Sequence, residues 1–131
     1  MSAGGADRDG AELVLPPVPG SVHSARRFVL ARCRQLVVDP GTAEDLVLLT
    51  SEVVTNAIIH GRSEVRLRVL AGQGRLRIEV ADENSRHPQL PGEDADALDG
   101  RGVRILDELA ARWGVRDERY GKTVWFELRS G

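Results

Sequence analysis

An internal disulfide needs two cysteines, and Cys33 is the only one in 131 residues. That fits a reducing compartment, so the expected location is the cytoplasm. No apolar run approaches membrane-spanning length, and the N-terminus has no apolar signal core. The three histidines, His23, His60 and His87, stand at no metal-ligand spacing, which argues against zinc. An excess of one charge is missing too. Eighteen Lys and Arg against 20 Asp and Glu give a net charge of -2, with the bases spread along the chain. Bulk electrostatic attraction to nucleic acid is therefore not expected. There are no internal repeats. What is present, 41% hydrophobic and 29% charged residues, is close to the globular average and argues against wholesale disorder. The length fits one domain with room for a core, expected over residues 11–131 behind a small, polar, disordered tail at 1–10.

Patterning then divides the chain. Glu12 to Leu15 is a short strand candidate, stopped by Pro16, Pro17 and Pro19. Ser21 is placed to cap a first helix, whose apolar set is Val22, Phe28, Val29, Cys33 and Leu36 with the stem of Arg32. Cys33, set among Phe28, Val29, Leu30 and Leu36, reads as a buried, inert thiol. Asp39-Pro40-Gly41 breaks that helix. Thr42 caps a second, with Glu44 and Asp45 in its first turn. Leu46, Leu49, Val53 and Ala57 form its buried stripe, and Gly61 ends it. Glu64–Leu70 and Arg75–Val80 alternate strictly around Gly72-Gln73-Gly74, the signature of a hairpin with one face on the core. Residues 83–99 show no period, as expected of a lid, a binding loop or a disordered segment. A third helix is expected from Arg101 to Trp113. A second hairpin, Gly114–Asp117 with Thr123–Leu128, turns at Tyr120-Gly121.

Five features carry chemistry. Glu52 stands four residues before Asn56, so both lie on one helix face beside the buried stripe. A carboxylate there can take a proton from an attacking hydroxyl. A neutral amide oxygen there can hold a Mg²⁺ that bridges phosphate oxygens. Asp82 ends the second strand of the first hairpin. It reads either as an ordinary turn residue or as an acceptor at the floor of a pocket, where it would take the exocyclic amine of adenine. Gly100-Arg101-Gly102-Val103 opens the third helix, where backbone amides and the helix dipole favour an anion. As a bare loop-to-helix junction the same residues are common. Gly121-Lys122-Thr123 precedes the last strand. Gly121 fits a hairpin turn, Lys122 is in reach of phosphate, and Thr123 is placed to face the pocket.

In this order, the set resembles the ATP-binding superfamily of DNA gyrase B, the large heat-shock chaperones, sensor histidine kinases and mismatch-repair ATPases. The size, with Arg112-Trp113-Gly114-Val115 followed by Gly121-Lys122-Thr123-Val124-Trp125-Phe126, looks most like the bacterial anti-sigma factor/serine-protein kinase branch. The resemblance spans roughly residues 12–129. It implies a histidine-kinase-like ATPase domain of the Bergerat type. That is a two-layer α/β sandwich, with helices on one face of a mixed, mostly antiparallel sheet. It implies Glu52 as general base, Asn56 as the Mg²⁺ ligand and Asp82 on the adenine amine. Gly100, Arg101, Gly102 and Val103 would border the phosphates, and Thr123 would close the base pocket. His60, one turn after Asn56, is either at the phosphate end or simply a helix-terminal residue.

By the same resemblance the protein would bind Mg·ATP and phosphorylate a serine of a small anti-sigma antagonist. It would also sequester a sigma factor and commonly act as a homodimer, with no direct contact to nucleic acid or membrane. One segment departs from the family pattern. Where Asp-x-Gly-x-Gly is usual, Asp82 is followed by Glu83-Asn84-Ser85-Arg86. The loop beyond also carries Glu93, Asp94, Asp96 and Asp99. This departure motivates the alternative, a non-catalytic partner-binding module of the same fold with weak or no ATP turnover.

Overall fold

Alternating apolar residues build a five-stranded sheet, and periodic ones build the helices that cover it. The computed structural model describes residues 10–61, 63–83, 100–119 and 121–129. The expected tail, apart from Gly10, and the expected loop, apart from Glu83, lie outside these residues. In chain order the elements are β1 (Ala11–Leu15), α1 (Gly20–Gln35), α2 (Pro40–Asn56) and a π-helical turn (Ala57–Gly61). There follow β2 (Val65–Gly72), β3 (Arg75–Asp82), α3 (Gly100–Leu109), β4 (Arg112–Glu118) and β5 (Gly121–Arg129). The sheet order is β1-β2-β3-β5-β4, with β5 inserted between β3 and β4. Every pairing among these strands is antiparallel, so the sheet is more regular than the mixed one expected.

The two faces of the sheet differ because side chains alternate along each strand. Val65, Leu67 and Val69 of β2, Leu76, Ile78 and Val80 of β3, and Val124, Phe126 and Leu128 of β5 are buried. Against them pack Ala25, Val29 and Cys33 of α1, Leu46, Leu49, Val53 and Val54 of α2, and Leu106 of α3. Burial pushes the Cys33 thiol above its ordinary pKa, which suits the inert role expected of it. The opposite face carries charge. Arg77 bonds Glu79 at 2.8 Å and Glu127 at 2.9 Å, and its guanidinium lies 4.2 Å from the centre of the Trp125 ring. A Cβ on Gly114 would lie 2.9 Å from that ring, so β4 needs a glycine where Trp125 crosses it.

Three boundaries differ from expectation for identifiable reasons. The cap of α2 is Asp39, whose Oδ2 accepts from the Thr42 amide at 3.1 Å while Thr42 Oγ1 donates to Oδ1 at 2.8 Å. Pro40 occupies the first helical position, where a missing N–H is harmless, so Asp-Pro-Gly starts the helix. Glu44 and Asp45 consequently fall beyond its first turn. These bonds hold the Asp39 carboxyl below its ordinary pKa, first through the Thr42 hydroxyl and then through the Thr42 amide. Ser21 does not cap α1. The helix begins at Gly20, and the Ser21 hydroxyl donates to the Pro16 carbonyl at 2.7 Å. The third helix stops at Leu109, and Trp113 belongs to β4, opposite Phe126. Two bonds hold it there: the Ala111 amide reaches the Glu127 carbonyl at 2.8 Å, and Trp113 Nε1 reaches Asp107 at 2.7 Å.

Candidate functional site

The topology brings the end of α2, Asp82 and Lys122 to one end of the sheet. Asn56 is the last residue of α2, and the turn that follows returns the chain to Val65, which pairs with Asp82. The Glu83 amide donates to Ser63 Oγ at 2.9 Å, which ties the approach to β2 to the end of β3. Lys122, near the start of β5, lies directly opposite Asp82. The helix α3 is joined to β4 by two residues at the far end of the sheet, where Arg112 pairs with Glu127. A ten-residue helix is about 15 Å long, so α3 is long enough to reach back toward the Asp82 end. Gly100, Arg101, Gly102 and Val103 form that first turn, with Gly102 buried and Val103 half-buried.

Glu52 and Asn56 differ in exposure. Glu52 is half-buried, one turn before the end of α2. Asn56 is 5% exposed, and its Nδ2 has no hydrogen-bond partner among the described residues. Leaving a buried amide nitrogen unsatisfied costs about 1–3 kcal/mol, so the position is maintained against a penalty. A half-turn of the amide presents its oxygen instead, and an amide oxygen is a hard ligand suited to Mg²⁺. No cluster of three acidic, His or Cys side chains that could hold a metal occurs among the described residues. Mg²⁺ keeps several waters and takes few protein ligands beside substrate phosphates, so a single amide oxygen fits it. Immediately beyond Asn56 the helix widens into the π-helical turn Ala57–Gly61, which ends at the expected glycine. Such turns recur beside binding sites. His60 is exposed in that turn.

Asp82 is buried, with its side chain 3% exposed, and its Oδ2 accepts from Lys122 Nζ at 2.9 Å. Gly121 has a spatial reason to be glycine, since a Cβ there would overlap the Asp82 carbonyl oxygen. The added atom would also lie 3.1 Å from Asp82 Oδ1. Gly121 is thus the first residue of β5 and part of the floor beneath Asp82, and Tyr120 of the expected turn lies outside the described residues.

Thr123 is not brought to this floor. Val124, Phe126 and Leu128 face the helices, so Thr123 faces the charged side with Trp125 and Glu127. There its hydroxyl donates to Glu118 Oε2 at 3.0 Å, and Arg116 reaches the same carboxylate at 2.8 Å. These two bonds, Arg116 first, hold the Glu118 carboxyl below its ordinary pKa. The helix-facing neighbour of Asp82 is Lys122, whose ammonium bonds Asp82. Period-two alternation read backward from Phe126 carries the signal for this exchange. Two shallow hollows elsewhere involve none of the expected residues. One, of about 620 Å³, lies between Leu13 of β1 and Phe28 of α1, and one, of about 410 Å³, lies on the charged face around Arg77.

A family model for the histidine kinase-like ATPase domain matches residues 15–128. The chain belongs to the histidine kinase-like ATPase domain family. None of the curated proteins matches it. Among solved structures it is similar to the RsbU and RsbW domains of Rv1364c from Mycobacterium tuberculosis, with TM-score 0.72 and 19% identity over 92% of this chain. This chain spans only 32% of that one. A second likeness is to the SiaB-SiaC complex from Pseudomonas aeruginosa, with TM-score 0.63 and 10% identity over 90% of this chain and 88% of that one. A third is to the histidine kinase domain of the blue-light activated histidine kinase EL346 from Erythrobacter litoralis. Its TM-score is 0.52, with 29% identity over 68% of this chain and 45% of that one. The two-layer sandwich is thus a property shared with the family, and the family implies an ATP site. No helix among the described residues is long and apolar enough to cross a membrane.

Proposed function

We propose that this domain binds Mg·ATP at the Asp82 end of the sheet and transfers the γ-phosphoryl group to a serine of a small protein antagonist. It would sequester a sigma factor when that antagonist is absent or already phosphorylated. The observation that carries the reading is the buried amide of Asn56, whose nitrogen has no partner among the described residues and which lies where α2 turns back toward the strand paired with Asp82. When bound, the metal would neutralise charge on the phosphate oxygens and hold them in line. Phosphoryl transfer asks for positioning and neutralisation more than covalent help, so few side chains suffice. Asn56 supplies the amide ligand. Glu52, one turn earlier on the same face, takes the proton from the serine hydroxyl as it attacks. Asp82 accepts from the base amine. The first turn of α3, with Gly100, Arg101, Gly102 and Val103, borders the phosphates. Thr123, bonded to Glu118 on the other face, takes no part.

The test is transfer from labelled ATP to a candidate antagonist with wild type and Glu52→Gln. The variant keeps the shape of the side chain and should keep ATP affinity while losing at least about 100-fold in transfer rate, the usual contribution of a general base. Equal transfer by the two proteins would remove Glu52 from the mechanism. A second reading is a partner-binding module with little turnover. It is favoured by the segment after Asp82, Glu83-Asn84-Ser85-Arg86, which lacks the two glycines of the family pattern. In that case Glu52→Gln leaves partner capture unchanged and no transfer is seen from either protein.

A further inference from the structure

We propose that Lys122 is a built-in competitor for the nucleotide base, and that it sets the affinity of the site. The inference rests on the reading of Asp82 as the residue that accepts from the base amine. Direct cross-strand partners put their side chains on the same face of a sheet, and Asp82 and Lys122 are such a pair. Both point to the helix side, in line with Val80 and Val124. The carboxylate is 3% exposed and the lysine side chain 16%, so water screens their contact only weakly. Gly121 brings the start of β5 against the Asp82 carbonyl, which fixes the lysine backbone beside the carboxylate.

An ammonium only donates hydrogen bonds, and so does the exocyclic amine of adenine. Lys122 therefore offers Asp82 the same kind of bond that the base would offer. Its bond is charged on both sides, whereas the amine is neutral, and charge-assisted bonds are about twice as strong as neutral ones. A base amine that takes Oδ2, the oxygen Lys122 holds, must weaken or displace the protein's own donor. Lys122 thereby acts as a latch across the base end, and nucleotide binding opens it. The Lys122 ammonium makes no other hydrogen bond among the described residues, so opening it breaks a single side-chain contact.

The experiment is calorimetric titration of wild type, Lys122→Met and Lys122→Gln with MgATP and with MgGTP at pH 8, each protein checked for folding by circular dichroism. Methionine keeps the length and apolar stem but donates nothing. Glutamine keeps a neutral donor to Asp82 and guards against a folding failure of the methionine variant. The expected result is MgATP affinity at least about tenfold above wild type for Met, the loss of one charge-assisted competitor, with Gln in between and no comparable gain for MgGTP. Adding Asp82→Asn to Lys122→Met should erase the gain. Unchanged or weaker MgATP binding by both folded variants overturns the latch while leaving the site in place. No MgATP binding by any folded protein, wild type included, overturns the latch together with the nucleotide reading beneath it.

Discussion

The two faces of the sheet carry similar side chains to opposite ends. On the uncovered face the charges are redundantly paired. Glu127 accepts from Arg77 and Arg75, with Arg112 at 3.7 Å, and Glu79 accepts from Arg77 and Arg68. At the Asp82 end of the covered face, Asp82 Oδ2 accepts from Lys122 Nζ, and the amide nitrogen of Asn56, at the end of α2, has no partner among the described residues. Redundant pairing tolerates the loss of any single member. A buried, unsatisfied amide has no such reserve, and it calls for an explanation such as a bound water, ion or ligand. On the proposed function, the charged face is architecture and the Asp82 end the working site.

Substitutions should separate the two regions. The largest structural effect is expected from Gly121→Ala, because its Cβ meets backbone and not a yielding side chain. Crowding of this kind costs about 1–3 kcal/mol. Urea unfolding should show that loss, and MgATP affinity should fall with it because Asp82 is displaced. A fall in stability with affinity intact would separate the floor from the site. Arg77→Met should do less. It removes two ion pairs and the stacking on Trp125, but both glutamates keep other arginine partners. The expected cost is about 1 kcal/mol, in the range of partly exposed pairs and cation–π contacts. MgATP affinity should not change, and a change would break the division between the faces.

Much of this was legible in the chain. The stripe Leu46, Leu49, Val53 and Ala57 is buried as its spacing required, and the alternation in β2 and β3 put Leu67, Val69, Ile78 and Val80 in the core. What escaped depended on contacts distant in sequence or on competition between neighbours. Asp39 outcompetes Thr42 as cap because Pro40 needs no partner for its nitrogen. Trp113 suits a helix locally but pairs with Phe126, a residue thirteen positions later. The π-helical turn after Asn56 leaves no mark in residue type. Thr123 matched a motif, yet the parity of β5 turns it to the wrong face and Lys122 to the right one. A motif names residue types, and only the strand's register decides which of them meet.

The most direct test of the account is calorimetric titration of the wild-type protein and Asn56→Ala with ATP, with and without Mg²⁺. The account predicts saturable binding to wild type that Mg²⁺ strengthens, and loss of that strengthening in a folded Asn56→Ala. Binding with the same dependence on Mg²⁺ in both proteins, or no binding to folded wild type, would contradict the placement of the nucleotide at this end of the sheet.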